Sequence, residues 1–136
     1  MNTTKRSARA RIRIHKAPDA VFAAFADGHA MSQFWFTRQD DSLQEGQPSV
    51  WSIGKGENAF SFEVRVVELR RPHKIVIEWD NGGNYTQVVW SMEEAGAGET
   101  ILTIEESGFT GSEEAIFERV LDSTGGFNQV IVAAKA

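Results

Sequence analysis

Hydrophobic and polar residues alternate in the first element of the chain. Between residues 9 and 15, Ala10, Ile12 and Ile14 alternate with basic residues, which is the period of a half-buried strand. The basic residues therefore form its outer face. An anionic partner such as RNA or a lipid surface would suit this face, but a run of charge is a weak signal. We expect a solvated face that pairs with acidic residues on a neighbouring strand.

Residues 18–26 predict a short amphipathic helix. Pro18 suits the first helical position, and Asp19 suits the positive end of the helix dipole. Phe22 and Phe25 recur at helical spacing and indicate the buried face. The helix should end at the Asp-Gly pair that follows.

A second short helix is predicted from Ala30 to Phe36. Met31, Phe34 and Trp35 lie at i, i+3 and i+4, so they share one face. This concentration of large apolar side chains directly after a Gly-His break is unusual for a connection between elements, which is normally polar.

The middle of the chain predicts an antiparallel meander. Turn sequences separate its alternating segments, and residues 80–83 (DNGG) give the strongest hairpin signal. Val66 and Val67 belong to opposite parities of one strand, so we expect a β-bulge near them. We count six strands, one at residues 9–15 and the others at 50–54, 59–70, 73–79, 85–92 and 101–106.

A long C-terminal helix is predicted to begin near residue 112. Thr110 and Glu113 have the spacing of a capping box, and Ser112 is the competing N-cap. Two glycines at 125 and 126 interrupt the helical pattern, at a cost of about 1 kcal/mol each, so we expect a bend or close packing there. The predicted apolar stripe comprises Ile116, Phe117, Val120, Leu121, Phe127, Val130, Ile131 and Ala134.

The order of these elements predicts an α+β domain in which helix packs on sheet. Along the chain, the predicted elements are one strand, two short helices, a run of antiparallel strands and one long amphipathic helix. A chain of 136 residues suits a single domain and can bury enough surface to be stable without a disulfide or a metal.

Composition and charge narrow the function classes. The absence of cysteine excludes a disulfide framework, a thiolate zinc site and a cysteine nucleophile. The basic N-terminus has no apolar segment behind it, and no run reaches membrane-spanning length. We therefore expect a cytoplasmic protein that does not bind a membrane. The net charge of −5 argues against nucleic-acid binding. We expect a monomer or a homodimer.

Signals for catalysis are weak. The sequence has no G-x-S-x-G elbow, and its three histidines lack the spacing of a metal site, so we expect no metal, no cofactor and no catalytic residue. Glu63, Glu78 and Asp80 lie on or beside strands and are candidates for acid–base chemistry. Glu63 and Glu78 are out of phase with their apolar neighbours, and we therefore expect these two to face solvent.

The chain resembles a known superfamily in several segments. Residues 14–36 (IHKAPDAVFAAFADGHAMSQFWF) resemble the opening of START-like (SRPBCC) proteins, which have the Bet v 1 helix-grip fold, and residues 45–54 (EGQPSVWSIG) resemble their second strand. The later segments resemble one branch, the Aha1 C-terminal-type (activator of Hsp90 ATPase homologue-like) proteins. They are IVIEW, VVWSM, GETILTIEESGF and GGFNQVI.

This resemblance covers nearly the whole chain, and it implies one START-like domain over residues 1–136. The implied fold is a curved antiparallel sheet of about six strands wrapped on a long C-terminal helix, with two short helices after the first strand. In this fold the two short helices close one end of a cavity between the sheet and the long helix.

Members of the superfamily commonly hold hydrophobic small molecules in that cavity, so the resemblance implies such a ligand. Aromatic walls suit it, because rings supply a large apolar area with few rotamers to freeze. The alternative is that the rings fill a dry core. Strand parity alone does not say which face Trp79 and Trp90 occupy. The predicted wall residues are Trp35, Trp51, Phe60, Phe62, Trp79, Trp90, Phe117 and Phe127.

Three hypotheses for function follow. The first, which we favour, is a non-catalytic protein that binds a small hydrophobic molecule. The second is an enzyme of the polyketide cyclase or aromatase kind, which the superfamily also contains. The third is a module that binds an Hsp90-like chaperone, as the Aha1-type resemblance implies.

Overall fold

Seven strands form a single antiparallel sheet in the computed structural model, which describes residues 7–27, 31, 37–38, 43–53, 60–80 and 85–135. Two helices lie within the described ranges, α1 (Pro18–Ala26) and α2 (Glu113–Lys135). The strands are β1 (Ala8–Ile14), β2 (Thr37–Arg38), β3 (Pro48–Ile53), β4 (Phe60–Arg70), β5 (Lys74–Asp80), β6 (Tyr85–Gly96) and β7 (Glu99–Ser107).

The order of strands across the sheet is β1-β7-β6-β5-β4-β3-β2. The six predicted strands correspond to β1 and β3–β7, which confirms the α+β class and the meander. The seventh strand, β2, has only two residues and pairs with Ser52 and Trp51 of β3. Two residues are too few to show a period in the sequence, so this strand was not among the six predicted.

The alternation predicted for β1 is confirmed. Ala8, Ala10 and Ile14 are buried, whereas the arginines between them are exposed. The acidic residues expected beside this basic face lie on and at the start of β7. Arg13 Nη1 donates to Glu99 Oε1 at 3.0 Å, and the second carboxylate oxygen of Glu99 lies 2.6 Å from a ring nitrogen of His15.

The predicted bulge is also confirmed. The register between β4 and β5 shifts between Val66 and Glu68, so Val67 is the extra residue. Val66 is buried and Val67 is exposed, and after the extra residue the inner face is occupied by Leu69, which lies opposite the buried Ile75 and packs on the core. The change of parity in the sequence is therefore the signature of one unpaired residue.

The core lies between the inner face of the sheet and the helices. Helix α1 buries Val21, Phe22 and Phe25 against β5, β6 and β7. Helix α2 packs mainly on β1. The inner faces of the central strands supply the rest of the core, and its members with no exposed surface include Val64, Ile77, Val88, Met92, Leu102 and Ile104.

Helix α2 begins after Ser112, whose hydroxyl accepts a hydrogen bond from the backbone N–H of Ala115 at 3.1 Å. Ser112 is therefore the N-cap, and Thr110 lies outside the helix. The helix continues through both glycines. A Cβ atom added to Gly125 would meet no atom of the described residues within 4 Å, so of the two expected alternatives, a bend or close packing, close packing does not apply at that glycine.

Up to Phe127, the buried face of α2 is narrower than the predicted stripe; the side chains of its remaining members, Val130, Ile131 and Ala134, lie outside the description. Phe127 is buried, and Ile116 and Val120 are half-buried. Phe117 and Leu121, one position further round the helix, are 49% and 55% exposed. Hydrophobic spacing alone could not separate these positions, because i and i+1 residues lie only 100° apart on a helix.

The second short helix falls almost entirely outside the described residues. Met31 is helical and fully buried, and its backbone N–H donates to the Asp27 carbonyl at 3.0 Å. The other residues of that prediction, Phe34 and Trp35 among them, lie outside the part of the chain that the structure describes.

Candidate functional site

Six aromatic side chains contact one another between the inner face of the sheet and the two helices. Trp51 is central, with its ring centroid 6.1 Å from that of Trp79, 6.4 Å from that of Trp90 and 6.5 Å from that of Phe62. These distances are typical of packed aromatic pairs. We call this set the aromatic cluster, and its members are Phe25, Trp51, Phe62, Trp79, Trp90 and Phe127.

Strand register explains why the sheet residues of the cluster meet. Trp51 lies directly opposite Phe62 in the β3–β4 pair, and Trp79 lies opposite Val64 in the β4–β5 pair. Directly opposed residues of antiparallel strands point to the same face. Because Val64 has no exposed surface and shares the parity of Phe62, both tryptophans face inward.

Both helices contribute one ring to the cluster. Phe25 of α1 lies with its ring centroid 5.9 Å from that of Trp90, and Phe127 of α2 stacks on Trp79. Trp51, Trp90 and Phe127 are buried, which leaves little of these rings in contact with water. The cluster therefore connects the sheet to both helices.

A carboxyl group lies beside this cluster. Glu106 of β7 has no exposed surface. The indole N–H of Trp79 donates to Glu106 Oε2 at 2.9 Å, and the hydroxyl of the buried Thr86 donates to the same oxygen. Burial of a carboxyl group is costly unless hydrogen bonds compensate for the lost water, and these two donors provide part of that compensation.

The register of the sheet also fixes the surroundings of Glu106. Its cross-strand neighbours are Ala8 of β1 and Val88 of β6, both fully buried. Gly108 follows with φ of +93°, and a Cβ there would lie 3.7 Å from the Thr86 Cα. Strand β7 ends at Ser107, and the positive φ of Gly108 lets the backbone change direction there.

The sequence prediction missed Glu106. Leu102 and Ile104 are fully buried on the inner face, and the same period of two places Glu106 on that face. The signal was present in the parity of the strand, but a charged residue near a strand end is normally solvated. Of the three carboxylates that were considered, Glu63 and Asp80 are exposed, whereas Glu78 is half-buried.

The structure brings five of the eight predicted wall residues together in the aromatic cluster. It also settles the face of Trp79 and Trp90, which both point inward. Phe117 is half-exposed on α2, the side chain of Phe60 at the start of β4 is not described, and Trp35 lies outside the described residues. The predicted list omitted Phe25. The role of these residues in ligand binding stays a prediction.

Two negative findings apply to the described residues alone. They contain no group of three or more histidine, aspartate and glutamate side chains placed to hold a metal ion. They also contain no helix that is both long enough and apolar enough to cross a membrane.

The family follows from comparison with known proteins. A family model described as "Activator of Hsp90 ATPase homolog 1-like protein" matches residues 16–132. The chain belongs to this family. The resemblance given by the sequence segments is thereby confirmed. The family match begins after β1, so that strand lies outside it. No curated protein matches the sequence.

Several solved structures share the fold of this chain. DynU16, a protein of the dynemicin biosynthetic locus, is similar with a TM-score of 0.79 and 18% identity over 95% of this chain and 45% of DynU16. The chain thus spans about half the length of DynU16. MLL2253 from Mesorhizobium loti has a TM-score of 0.78 and 14% identity over 96% of this chain and 94% of its own.

A third structure, PFC0360w, is an HSP90 activator from Plasmodium falciparum. It has a TM-score of 0.67 and 20% identity, and it covers 93% of this chain and 90% of its own. Identities this low show a shared fold alone, so the helix-grip architecture of this chain is established. A chaperone partner for it stays a prediction.

Proposed function

We propose that this protein binds a small hydrophobic molecule between the inner face of the sheet and α2. The observation that carries the proposal is the aromatic cluster, in which Trp51, Trp79 and Phe127 form a continuous apolar surface at the junction of strands and helix. Ligand sites are mostly apolar and aromatic, with a few polar groups that orient the ligand. Glu106 and Thr86 supply such polar groups next to the rings.

The rings of the cluster contact one another, so binding has to move at least one of them. Phe127 is the best candidate, because it joins the cluster from α2 and stacks on one side of Trp79. The glycines at 125 and 126 directly precede it in the helix, and glycine weakens a helix interior by about 1 kcal/mol. A rearrangement that displaces Phe127 is thus less costly than one that moves a strand.

Native mass spectrometry of the purified protein, compared with its denatured mass, tests the proposal. We expect an added mass that disappears on denaturation, and extraction followed by mass spectrometry would identify its chemical class. Phe127→Trp places a larger ring against Trp79, so it should reduce the bound fraction. Phe117→Trp on the same helix is the matched control, because Phe117 is half-exposed. A protein that carries no added mass and takes up no apolar probe would contradict the proposal.

Acid–base catalysis of the cyclase or aromatase kind is the second candidate, and buried Glu106 is the observation that favours it. A general acid or base must lie within hydrogen-bond reach of the reacting group, and a carboxyl group beside an aromatic surface could act on a bound carbonyl compound. A poly-β-ketone thioester would test this function by the absorbance of its aromatic product. Turnover by the wild type that Glu106→Gln abolishes would support catalysis, and equal rates with and without protein would exclude it for that substrate.

A further inference from the structure

A recess on the outer face of the sheet lies apart from the aromatic cluster. Its volume is about 290 Å³. Glu63 and Arg65 line it, and they are out of phase with Phe62 and Val64, the inward residues of β4. Successive side chains of a strand point to opposite faces, so the recess and the aromatic cluster lie on opposite sides of the sheet. The described residues that line the recess are Gly46, Gln47, Pro48, Glu63, Arg65 and Val66.

Backbone hydrogen bonds hold one wall of the recess in place. The N–H of Gly46 donates to the Val66 carbonyl at 2.9 Å, and the Val66 N–H donates to the Gln47 carbonyl at 3.4 Å. Gly46 has φ of +80°, and a Cβ atom there would meet no atom of the described residues within 4 Å. This wall is therefore backbone fixed to β4, with open space beside Gly46.

Two side chains of opposite charge line the recess. Glu63 and Arg65 are both exposed, and their positions on one strand place their Cα atoms about 7 Å apart. Within the described part of the chain, neither side chain forms a salt bridge with the other or with a neighbour. The Arg65 guanidinium lies instead over the ring of Tyr85 on β6, 3.9 Å from the ring centroid. Because β5 lies between β4 and β6, this contact holds the guanidinium away from Glu63.

The geometry of the two charged groups indicates which ligand they suit. A guanidinium that lies over a ring uses its flat face, whereas its N–H groups lie in its plane and match the two oxygens of a carboxylate. The Glu63 carboxylate accepts hydrogen bonds from an ammonium group. A simple anion is disfavoured, because Glu63 and Glu78, which lies directly opposite Arg65 in β5, would repel it. A ligand that also carries a positive charge avoids this repulsion.

We propose that this recess binds small zwitterions, of which free α-amino acids are the simplest class, with the ligand carboxylate on Arg65 and the ligand ammonium group on Glu63. The volume of the recess is near the lower end of the range for ligand sites, which suits a molecule of this size. Exposed ion pairs are screened by water, so we expect weak binding. This site does not depend on the proposed function, because it lies on the other face of the sheet.

Four forms of leucine separate the two charges. L-Leucine carries both, N-acetyl-L-leucine carries only the carboxylate, L-leucinamide carries only the ammonium group, and N-acetyl-L-leucinamide carries neither. Each is titrated into the isotopically labelled full chain at about pH 6.5, where free amines are protonated, and amide NMR shifts give the affinities. We expect L-leucine to bind about fivefold more tightly than either singly charged form, which is the upper range for an exposed ion pair. The shifts should fall at residues 46–47 and 63–66.

Variants assign each charge to one residue. Arg65→Gln should abolish the preference for L-leucine over L-leucinamide, and Glu63→Gln should abolish the preference over N-acetyl-L-leucine. Arg9→Gln and Glu105→Gln are the matched controls, because these two residues are exposed and opposite each other on β1 and β7, towards the far edge of the same sheet. Both controls should retain the two preferences.

The outcomes are distinguishable. Two preferences that are lost separately in the two β4 variants, and kept in both controls, support the inference. Equal affinities for L-leucine and N-acetyl-L-leucine would overturn it in favour of a plain anion site. No shift at residues 46–47 and 63–66 with any probe would overturn it altogether. Neither result would affect the hydrophobic site, whose test is the mass added to the native protein.

Discussion

Phe127 of α2 stacks on Trp79 of β5, with ring centroids 6.4 Å apart and ring planes inclined by 14°. The same tryptophan donates its indole N–H to Glu106 on β7. One side chain therefore connects the C-terminal helix, the fifth strand and the buried carboxyl group. This contact therefore adds to the packing of α2 on β1 in holding the helix against the sheet.

Replacement of Phe127 by alanine should lower the free energy of unfolding by about 3–5 kcal/mol, because it removes a buried ring and leaves a cavity. Urea denaturation followed by circular dichroism measures the change. Phe117→Ala on the same helix removes the same atoms from a half-exposed position and should cost about 1 kcal/mol. Equal losses for the two variants would mean that the stack contributes nothing beyond a surface ring.

Removal of one donor to the buried carboxyl group should also be measurable. Thr86→Val keeps the shape of the side chain and eliminates its hydrogen bond to Glu106, so we expect a loss of about 1–3 kcal/mol in the free energy of unfolding. Thr86→Ser retains the hydroxyl and should lose less, mainly for the deleted methyl group. If the serine variant were the less stable of the two, the hydrogen bond would not be the main contribution of Thr86.

Substitution of Gly125 is expected to raise the stability of the protein, unlike the two preceding substitutions. Alanine at this position would stabilise the protein by about 1 kcal/mol, because the residue lies in a helix interior and an added methyl group meets no described atom within 4 Å. Thermal denaturation would show a higher midpoint. Gly108→Ala is the contrasting variant and should destabilise by about 1–2 kcal/mol, since Gly108 has φ of +93°. A destabilising Gly125→Ala would indicate that the helix needs its flexibility there.

The start of α2 can be assigned by one pair of substitutions. Ser112→Ala removes the hydroxyl that accepts from the Ala115 N–H and should cost about 1 kcal/mol. Thr110→Ala should change the stability by less than about 0.5 kcal/mol, since the hydroxyl of Thr110 is not the cap. Urea midpoints of the two variants decide the matter. If Thr110→Ala lowered the free energy of unfolding more than Ser112→Ala, Thr110 would be the N-cap in a capping box with Glu113.

Local periodicity predicted most of the fold because each strand of this sheet has one buried face. In β1, apolar side chains reach the inner face at every second residue. In β4 the same alternation is interrupted once, at Val67, where an extra residue enters the strand. The two-residue strand β2 could not be predicted, because its existence depends on a partner in β3 that is distant in sequence.

The candidate site was predicted only in part, for a physical reason. Trp51 and Phe62 could be placed by parity, but the contact of Trp79 with Phe127 depends on how a helix lies across the sheet, which no local pattern encodes. Glu106 is the clearest omission. Its parity predicted an inward side chain, whereas the usual cost of a buried carboxyl group predicted the opposite, and only the donors on β5 and β6 decide between them.

Three of the four tryptophans of the chain lie in the aromatic cluster, and two of them are almost completely shielded from water. The wavelength and intensity of the fluorescence of an indole ring change when its neighbours or its exposure to water change. Because Trp79 is stacked on Phe127 and hydrogen-bonded to Glu106, displacement of either partner alters the surroundings of a fluorophore. The protein therefore carries a built-in optical reporter at the junction of sheet and helix, and occupancy of that junction can be followed without any added label.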